Sequence, residues 1–439
     1  MANLITTSLT YSKESAREYI IQPLFVDNDI RELVDVHLDV KSSKKLNLIS
    51  SLSEITKAYA QGTSFTSSTG VTITQRTLTV VDLKAEVKQN GKAFADFVGQ
   101  ELLKKGYAEN DITGTEFERL LAELFMRALR NDLNKVAFFG DTDAETQSSG
   151  IKTGTADTVY NTYDGFWTII IDAFTSGDIP STQRVTMSNG AVAQVDTITV
   201  TGTSGTANVT VAGVNYLATF DTDLTTTAAN FVTAHEDALL ARDIVVTSLT
   251  ADIILTSNIA GMPFGTSAIA NVSGDLAGSR AATTANTSAV ALSSGEAIAT
   301  FEKMVEASPA EMFADEGELV FAVSRSFSEN YKASLRSLTG GAIEAYNVMY
   351  NGKPTLSFDN IPIVVRPDWD VIIANKKQGA YPHRALLYKK SNLILGADGE
   401  GDDMMVEAFY DKTTQENFYR VEYRAGVQYA YPNYIVAAY

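Results

Sequence analysis

Side chains that could carry out chemistry are few in this sequence and lie far apart. His37, His235 and His383 are the only histidines, and there is no cysteine. The lack of cysteine excludes disulfides, thiolate metal sites and cysteine nucleophiles. A zinc site would therefore need distant residues to converge. His235 lies on the polar face of a predicted helix, where we expect an exposed histidine without a catalytic role.

Sequence motifs for catalysis are also missing. The chain has neither a phosphate-binding G-x-x-x-x-G-K-[ST] motif nor a G-x-S-x-G nucleophile motif. Its serines are plentiful, but none has the context of a nucleophile. No residue has the sequence context of a catalytic group, so the sequence predicts no catalytic, cofactor-binding or metal-binding residues.

Two acidic stretches are the remaining candidates for a cation site. Asp141, Asp143 and Glu145 are spaced like the first ligands of a calcium loop, but the sixth and twelfth positions hold Thr146 and Lys152 instead of Gly and Glu. The second stretch, GADGEGDDMM at 396–405, places four carboxylates on a glycine-rich loop. A solvated turn and a solvated surface loop are the favoured interpretations.

Asp141 also belongs to the stretch NKVAFFGDTD at 134–143, where a strongly patterned helix stops. Thr115 and Glu118 have the spacing of a capping box, which begins this helix at 115. Gly140 ends it, because glycine adopts a left-handed C-cap without a Cβ penalty. The spacing predicts a helix over 115–138 with its core face on Leu120 and Leu124. Its apolar residues are Phe117, Leu120, Leu121, Leu124, Phe125, Ala128, Leu133 and Val136.

The composition describes an ordinary globular protein of more than one domain. The chain has 439 residues, 45% hydrophobic residues and a formal net charge of −18. This negative charge argues against a protein that binds the phosphates of nucleic acid, because such binding needs clustered Lys and Arg. No window reaches eighteen apolar residues, and the N-terminus lacks the features of a secretory signal, so neither a membrane span nor a leader of that kind is predicted.

The first ninety residues contain two different regions. Residues 1–60 are predicted to form an arm with helical pieces. Residues 61–92 are rich in Thr, Ser, Gly and Val, and they predict half-buried strands in which Val71, Ile73, Leu78 and Val80 alternate with polar residues. A strand-forming segment with so few apolar residues cannot bury much apolar surface by itself. We therefore expect 61–92 to be ordered by a neighbouring molecule.

Residues 185–293 differ in composition from the rest of the chain. They contain no lysine and only Arg242 and Arg280 as basic residues. The pattern predicts strands in 196–202, 207–220 and 241–257 and one amphipathic helix in 226–241, with 277–290 as a linker. We interpret 185–293 as a small α+β module inserted into a host domain through polar, flexible junctions. Its predicted core is Val209, Val211, Tyr216, Phe220, Phe231, Leu239 and Ile254.

The last part of the chain, 294–439, mixes helices and strands. Helices are predicted in 294–308 and 325–338, and a strand in 318–324. IPIVVRPDW at 361–369 is predicted as a strand with a proline near each end. The closing stretch 419–438 is predicted as a strand with one wet face, because Val421, Tyr423, Ala425, Val427 and Tyr429 alternate with polar residues.

The order of these elements resembles the major capsid protein of tailed bacteriophages with the Hong Kong 97-type fold. FERLLAELFMRALRNDLNKVAFFGD is similar to the spine helix of that family and its Gly-Asp stop. NIPIVVRPDWD is similar to a strand of its axial domain, and YRVEYRAGVQYAYPNYIVAA to its closing strand. The resemblance makes Gly140-Asp141 a helix stop and not a ligand loop.

The resemblance implies an α+β fold in five parts. These are an N-terminal arm (1–60), an E-loop (61–92), a peripheral domain (93–184) with the spine helix 115–138, an inserted β-rich domain (185–293), and an axial domain with a return to the peripheral domain (294–439). It implies a structural protein without enzymatic activity, which assembles as a homo-oligomer of pentamers and hexamers into an icosahedral head. The head encloses double-stranded DNA without sequence-specific binding.

The implied partners are portal, scaffold and auxiliary head proteins, with no cofactor and no membrane contact. The protein is expected in the virion after assembly in the host cytoplasm, and a separate scaffold and a cleaved leader both stay open. Two other structural classes are kept as alternatives. A tail or surface-fibre protein would use 185–293 as its adhesive part, although the long helix 115–138 argues against a chain of repeated β-domains. An encapsulin-like compartment shares the fold, and an enzyme is the remaining class.

Overall fold

A computed structural model describes residues 30–49, 73–90, 116–142, 159–187, 189–339, 347–350, 352–375, 380–398, 407–411 and 413–439. Several predictions lie outside these residues. They are the arm before residue 30, the Thr115–Glu118 capping box, the side chains of Phe117 and Leu120, and most of both acidic stretches.

Four of the six described helices correspond to predicted ones, and Phe166–Ser176 and Pro367–Asn375 are the two that were not predicted. In chain order, α1 to α6 are Glu116–Phe139, Phe166–Ser176, Leu224–Leu240, Glu296–Glu306, Arg325–Thr339 and Pro367–Asn375. Short 3-10 helices are Ile30–Glu32, Ser181–Gln183, Ala310–Glu318, Lys390–Asn392 and Pro432–Tyr434.

The described strands are distributed over the whole chain. In chain order, β1 to β21 are Asp35–His37, Ser43–Ile49, Ile73–Thr79, Val81–Asn90, Arg184–Val185, Val195–Thr201, Gly205–Val211, Val214–Thr219, Ile244–Leu249, Asp252–Ser257, Ala268–Gly274, Ala277–Thr284, Leu319–Ser324, Asn347–Tyr350, Lys353–Phe358, Ile361–Arg366, Ala385–Lys389, Leu393–Ala397, Glu407–Asp411, Glu416–Tyr429 and Ile435–Ala438.

The chain divides into two compact units, and the first contains residues 1–137 and 390–432. Its centre is the long strand β20, which pairs with β4 along one edge and with β19 and β18 in succession along the other. Strand β1 adds to this sheet in parallel beside β18. Of the five residues predicted to share one face of β20, Val421, Ala425, Val427 and Tyr429 are buried, and Tyr423 is half-buried.

Helix α1 buries a face one residue away from the predicted one. Leu121, Phe125 and Leu129 are buried at i, i+4 spacing, whereas Leu124 is only half-buried. The ring of Phe125 lies 6.3 Å from that of Tyr419 on β20. The prediction of a core face on Leu124 is therefore wrong. The run of leucines at 120, 121 and 124 fits two faces about 100° apart, and contact with β20 selects one of them.

Residues 73–90 are part of their own unit, which corrects the expectation that all of 61–92 depends on a neighbour. Strand β4 pairs with β20 over its full length, and β3 pairs with β2 to form a two-stranded ribbon. Leu78 is fully buried and Val80 nearly so, in a cluster that includes Leu46, Leu48 and Ile394. The strand β2 lies 24 to 36 residues before its partners in β3, and β20 lies more than three hundred residues after β4, so local composition could not reveal either pairing.

The Ala-Gly pair of the closing strand has a packing reason. A Cβ on Gly426 would lie 2.0 Å from the carbonyl oxygen of Thr79. A Cβ on Gly396, the cross-strand partner of Gly426, would meet the side chains of Leu78 and Val80 at 2.9 Å. Glycine at both positions lets the β3–β4 turn cross close to the sheet.

The second unit contains residues 138–389 and 433–439, and its main sheet has the order β14-β15-β16-β13-β17-β21-β5. Every residue of β13 is buried. Helices α4 and α5 supply Phe301 and Tyr331, whose rings lie 5.2 Å apart in the core of this sheet. Confirmed predictions here are the helices in 294–308 and 325–338 and the strand in 318–324.

Two predicted strands of this region end earlier than expected. The stretch 361–369 divides at Pro367, which begins α6, because proline is favoured in the first turn of a helix. The stretch 419–438 is two strands in different sheets, β20 and β21, separated by the 3-10 helix Pro432–Tyr434. Strand β21 pairs with β17 and β5.

Residues 195–284, called the β-rich segment below, have a hydrophobic core of their own. Two sheets, β12-β6-β10-β9 and β11-β7-β8, share this core with α3. The turn between β7 and β8 is Ala212-Gly213, with φ of 50° and 78°, as a two-residue hairpin with both central residues left-handed requires. The predicted helix is confirmed as α3.

Three details of the 185–293 prediction are wrong. Val185 belongs to β5 of the main sheet, and 277–284 is the strand β12 instead of a linker. Ile254 is half-buried, while its neighbours Ile253 and Leu255 are fully buried, because the core face of β10 has the opposite parity. Of the other predicted core residues, Phe220 is partly buried and the rest are buried.

The two connections of the β-rich segment are hydrogen-bonded to each other instead of forming separate flexible junctions. Val192 and Thr287 make an isolated antiparallel bridge. The N–H of Val290 donates to the carbonyl oxygen of Asn189 at 3.0 Å, and the Asn189 side chain donates to the carbonyl oxygen of Ala291 at 3.1 Å. The chain therefore enters and leaves this segment side by side.

Candidate functional site

The Gly140-Asp141 turn is held by the residues that follow it. The carbonyl oxygen of Gly140 accepts hydrogen bonds from the N–H of Gly165 and the hydroxyl of Thr168, both at 2.7 Å. The N–H of Asp141 donates to the carbonyl oxygen of Tyr160 at 2.7 Å. Thr142 donates through its N–H and its hydroxyl to one carboxylate oxygen of Asp164.

These bonds give the end of α1 a structural role. They satisfy polar backbone groups at the helix terminus, and Asp141 is 3% exposed, so the turn does not present its carboxylate to solvent. Among the described residues, no group of three His, Asp or Glu side chains could hold a metal ion. The interpretation as a helix stop agrees with this geometry.

The turn adjoins a buried aromatic cluster. Phe138 lies 5.1 Å from Trp369 and 5.5 Å from Phe166, measured between ring centroids. The guanidinium of Arg366 lies 5.2 Å from the Phe138 ring and forms a buried ion pair with Asp368, with Nη2 2.9 Å from Oδ2. The apolar residues before Gly140 are thus core residues of the second unit.

Three side chains that sequence analysis did not connect meet near the start of α5. The hydroxyl of Ser326 lies 2.6 Å from Oδ1 of Asp370 and 2.8 Å from Nδ1 of His383. The N–H of Ser326 donates to Oδ2 of Asp370 at 3.0 Å. Nε2 of His383 lies 3.1 Å from the carbonyl oxygen of Val290. These three side chains are named the Ser326 cluster.

The Ser326 cluster contains the residue types of a hydrolytic triad in the wrong order. In a triad the histidine lies between the serine and the carboxylate, so that it can take the serine proton while the carboxylate orients it. Here the serine lies between the other two, and the short contact to Asp370 takes the hydroxyl hydrogen. The geometry therefore supports a structural network and gives no support to nucleophilic catalysis.

The other histidines also have structural surroundings. His37 contacts Asp35 at 3.2 Å. His235 was expected on an exposed polar face, but its ring packs 4.8 Å from that of Phe231 and 5.4 Å from that of Tyr216, and its Nε2 lies 2.9 Å from the carbonyl oxygen of Leu217. It is half-buried at the edge of the segment core.

The strongest polar contact of the β-rich segment joins Asp196 on β6 to Arg280 on β12. Nη2 and Nε of Arg280 lie 2.8 and 3.1 Å from the two carboxylate oxygens of Asp196, which is fully buried. Burial alone would raise the pKa of Asp196, but hydrogen bonds from Arg280, Ser267 and Gln194 outweigh it and hold that pKa below its usual value.

A second carboxylate fixes the turn between β11 and β12. Asp275 accepts hydrogen bonds from the N–H and hydroxyl groups of both Thr203 and Ser204. These bonds lower the pKa of Asp275 to about 2. Both carboxylates are thus committed to loop and strand structure.

The ribbon β2–β3 carries an exposed apolar pair. Ile49 and Ile73 are the last cross-strand pair before the connection 50–72, and they are 58% and 64% exposed. Leu46 and Leu48 point to the opposite, buried face of the ribbon. The two side chains are adjacent across the strands, so they form a small apolar patch at this end of the ribbon.

Comparison with known proteins gives matches of structure only. No protein-family profile and no curated protein sequence matches the chain. It is similar to a chain of the capsid of the cyanophage P-SCSP1u, with 11% identity, a TM-score of 0.42 and coverage of 100% of this chain and 96% of that chain. A chain of the cyanophage Pam1 capsid matches with 11% identity, a TM-score of 0.42 and coverage of 100% and 98%.

A third match comes from the procapsid of the satellite phage P4, with 8% identity, a TM-score of 0.40 and coverage of 94% of each chain. These three structures come from phage capsids or a phage procapsid. Identities of 8–11% and TM-scores of 0.40–0.42 are too low to transfer a function from these proteins to this chain.

The acidic loop at 396–405 is described only up to Asp398. This residue accepts from Nη1 of Arg424 at 2.7 Å, and Arg424 also pairs with Asp82 on β4. The first carboxylate of the loop is therefore neutralised within its own unit. No helix of the described residues is long and apolar enough to cross a membrane.

Sequence analysis missed the Ser326 cluster because its members lie 44 and 57 residues apart. The one available signal was weak: Ser326 lies two residues after the end of the fully buried strand β13. Nothing local to His383 or Asp370 indicates that the fold brings them to the same place.

Proposed function

We propose that this chain is the major capsid protein of a tailed bacteriophage and has the Hong Kong 97-type fold. Copies of it would assemble into pentamers and hexamers of an icosahedral head that encloses double-stranded DNA. The observation that carries the proposal is the ribbon β2–β3 with its exposed pair Ile49 and Ile73. The other residues of this face are polar, so the pair forms one apolar contact point at the end of the ribbon, which a neighbouring copy would cover.

The element order supports the same proposal. The ribbon precedes a 24-residue helix, α1, which ends at a Gly-Asp turn, and the long strand β20 near the end of the chain pairs with β4. This order agrees with the family resemblance of the sequence. In that arrangement the E-loop would be the hairpin formed by β2, β3 and the connection 50–72, instead of 61–92.

The net charge of the chain fits a shell protein that encloses DNA better than a protein that binds DNA. The net charge of −18 opposes adhesion to packaged phosphates. A structural role agrees with the Ser326 cluster, in which the serine hydrogen is directed away from histidine. Portal, scaffold and auxiliary head proteins as partners, and the virion as location, belong to the proposal.

The β-rich segment would be an inserted domain on the outer face of the shell. Its separate core and its paired connections support an insertion that leaves the main sheet undisturbed. The region 185–293 has no lysine and only two arginines, so it would gain nothing from facing DNA. The outer face also offers more room than contacts between subunits.

Electron microscopy of purified variants tests the role of the ribbon. The double variant Ile49→Asp/Ile73→Asp places charges on the exposed pair without touching the core. We expect it to stay folded and to form no shells or many fewer than the unchanged chain. Leu249→Asp is the matched control, because Leu249 on β9 is also 64% exposed, and it should assemble normally.

Other outcomes separate the alternatives. Normal shells from the double variant would contradict the role given to the ribbon. Fibres formed by the unchanged chain would favour a tail or surface-fibre protein. Closed shells that carry a protein cargo would favour an encapsulin-like compartment.

A further inference from the structure

The two sheets of the β-rich segment have four outer strands, and helix α3 covers two of them. The strand orders β12-β6-β10-β9 and β11-β7-β8 place β12, β9, β11 and β8 at the edges. Helix α3 packs against β8 and β9, and Nε2 of His235 on this helix lies 2.9 Å from the carbonyl oxygen of Leu217 on β8. Among the described residues, β11 and β12 have no comparable contact with α3.

Strand β11 is protected by its own irregularity. Its register with β7 shifts between Asn271 and Ser273. The side-chain amide of Asn271 donates to the carbonyl oxygens of Ser273, Gly274 and Leu276. A bulge bends and twists an edge strand, which is one way in which proteins prevent the pairing of that edge with another chain. The edge of β11 is therefore a poor template for a further strand.

Strand β12 has an open outer edge. It pairs with β6 in regular register from Ala277 to Ala282. Within the part of the chain that the structure describes, no strand pairs with its other edge, and residues 279–283 are all exposed. An edge of this kind presents a row of N–H and C=O groups that a further strand can bind.

The composition of β12 does not protect this edge. The strand contains no lysine, proline or acidic residue, and its one charged side chain, Arg280, is bound by the carboxylate of Asp196 on β6. The region 185–293 has eight acidic residues and two arginines, so net charge opposes contact between two copies over most of its surface. At β12, two copies approach without bringing acidic side chains together.

We propose that β12 of one copy pairs in antiparallel orientation with β12 of a second copy. The two four-stranded sheets then become one continuous sheet, held by backbone hydrogen bonds between the copies. The proposal does not rest on the proposed capsid function, since it concerns only the edge of the β-rich segment.

The symmetry of this pairing determines its register. Residues directly opposite each other in an antiparallel pair have side chains on the same face, so in a twofold pair one residue lies opposite its own copy. The exposed stretch 279–283 is centred on Ala281. A pair centred there places Arg280 opposite Ala282, whereas a pair centred on Arg280 places two like charges opposite each other, which is unfavourable. We therefore expect Ala281 to lie opposite Ala281.

Cysteine cross-linking of the full chain tests this pairing under mild oxidation. The chain contains no cysteine, so an introduced thiol can form a disulfide only with the same position of another copy. In Ala281→Cys the two Cα atoms would lie about 4.5–5.5 Å apart, a distance that a disulfide spans. We expect a disulfide-linked dimer in several-fold greater yield than in two control variants.

The controls separate register and random collision. In Ser279→Cys the two thiols would lie on the same face but roughly 13 Å apart along the strands, too far for a disulfide. Leu249→Cys places a thiol on β9, where Leu249 is 64% exposed. Cross-linking of Ala281→Cys that is no greater than that of either control would overturn the proposal.

Hydrogen exchange of the unchanged chain gives a second readout that needs no substitution. Peptides covering 277–284 should become more protected as protein concentration rises, while peptides from β13 serve as an internal reference. Protection of 277–284 that is the same at all concentrations would also overturn the proposal, because another segment of the same chain would then cover the edge. Shell formation plays no part in either readout, so a failure of the capsid proposal would not affect the result.

Discussion

Asp196 and Arg280 illustrate how single polar residues stabilise the β-rich segment. The carboxylate of Asp196 is fully buried, and the two side chains join β6 to β12 by two hydrogen bonds. Removal of the arginine would leave a buried charge with only neutral partners. The sequence shows Arg280 merely as one of two basic residues in 185–293.

We expect Arg280→Ala to lower the free energy of unfolding at neutral pH, because it leaves the buried carboxylate of Asp196 without its charged partner. Arg242→Ala is the matched control, because Arg242 is exposed and is the other basic residue of the region. Urea unfolding monitored by fluorescence measures the free energy of unfolding of both variants. The pKa of Asp196 is lower in the folded chain than in the unfolded chain, so this stabilisation is present above about pH 4 and is lost as pH falls through the folded pKa. Equal losses for both variants would contradict the account.

A second residue-scale prediction concerns the face of α1. Phe125→Asp would bury an unpaired charge against Tyr419 and should lower the free energy of unfolding by several kcal/mol, enough to remove soluble protein. Ala128→Asp, on the exposed side of the same helix, should be close to neutral. Soluble expression and thermal unfolding compare the two, and a tolerated Phe125→Asp would show that α1 does not pack on β20.

Errors of the sequence predictions at this scale have one physical cause. The hydrophobic pattern correctly predicted that α1 is a helix and β10 a strand. It placed Leu124 and Ile254 in the core, whereas the structure buries their neighbours Phe125 and Ile253. Where apolar residues occupy adjacent positions, periodicity permits two faces, and only the partner element decides which one is buried. The Ser326 cluster was not predictable at all, because its chemistry arises from residues that the main sheet brings together.

At the scale of elements, local composition misled where pairing is long-range. Helices α1, α3, α4 and α5 and the strands β6 to β10 and β13 could be predicted, because capping and hydrophobic periodicity are local. The strands β4 and β12 could not, since their polar, small residues are ordered by β20 and β6. The segment 61–92 therefore divides near residue 80 into a part of the ribbon and a strand of the sheet.

This division predicts two patterns of hydrogen exchange. Amides of β4 should be protected in unassembled protein, because β4 pairs with β20 along ten residues. Amides of β2 and β3 should exchange faster before assembly and become protected in shells. Equal protection of the ribbon in both states would contradict its proposed contact with a neighbour, while fast exchange in β4 would contradict its pairing.

At the scale of the whole molecule, the paired connections suggest that the β-rich segment can be removed. Val192 and Thr287 are bridged, so a short Gly/Ser linker between 191 and 288 would span little distance. We expect the shortened chain to fold with its main sheet intact and to assemble, with density missing from the outer face of the shell. Circular dichroism, thermal unfolding and image reconstruction measure these outcomes. Insoluble protein would show that the segment is integral to the second unit, and missing density on the inner face would refute the outward placement.

The central claim is that copies of this chain form a closed icosahedral shell. Cryo-electron microscopy of the purified full chain, expressed alone or with the other head proteins of its source, tests this claim most directly. We expect shells built of pentamers and hexamers, with the ribbon β2–β3 of each copy lying against a neighbouring copy. Particles that remain monomeric under all assembly conditions, or fibres in place of shells, would contradict it.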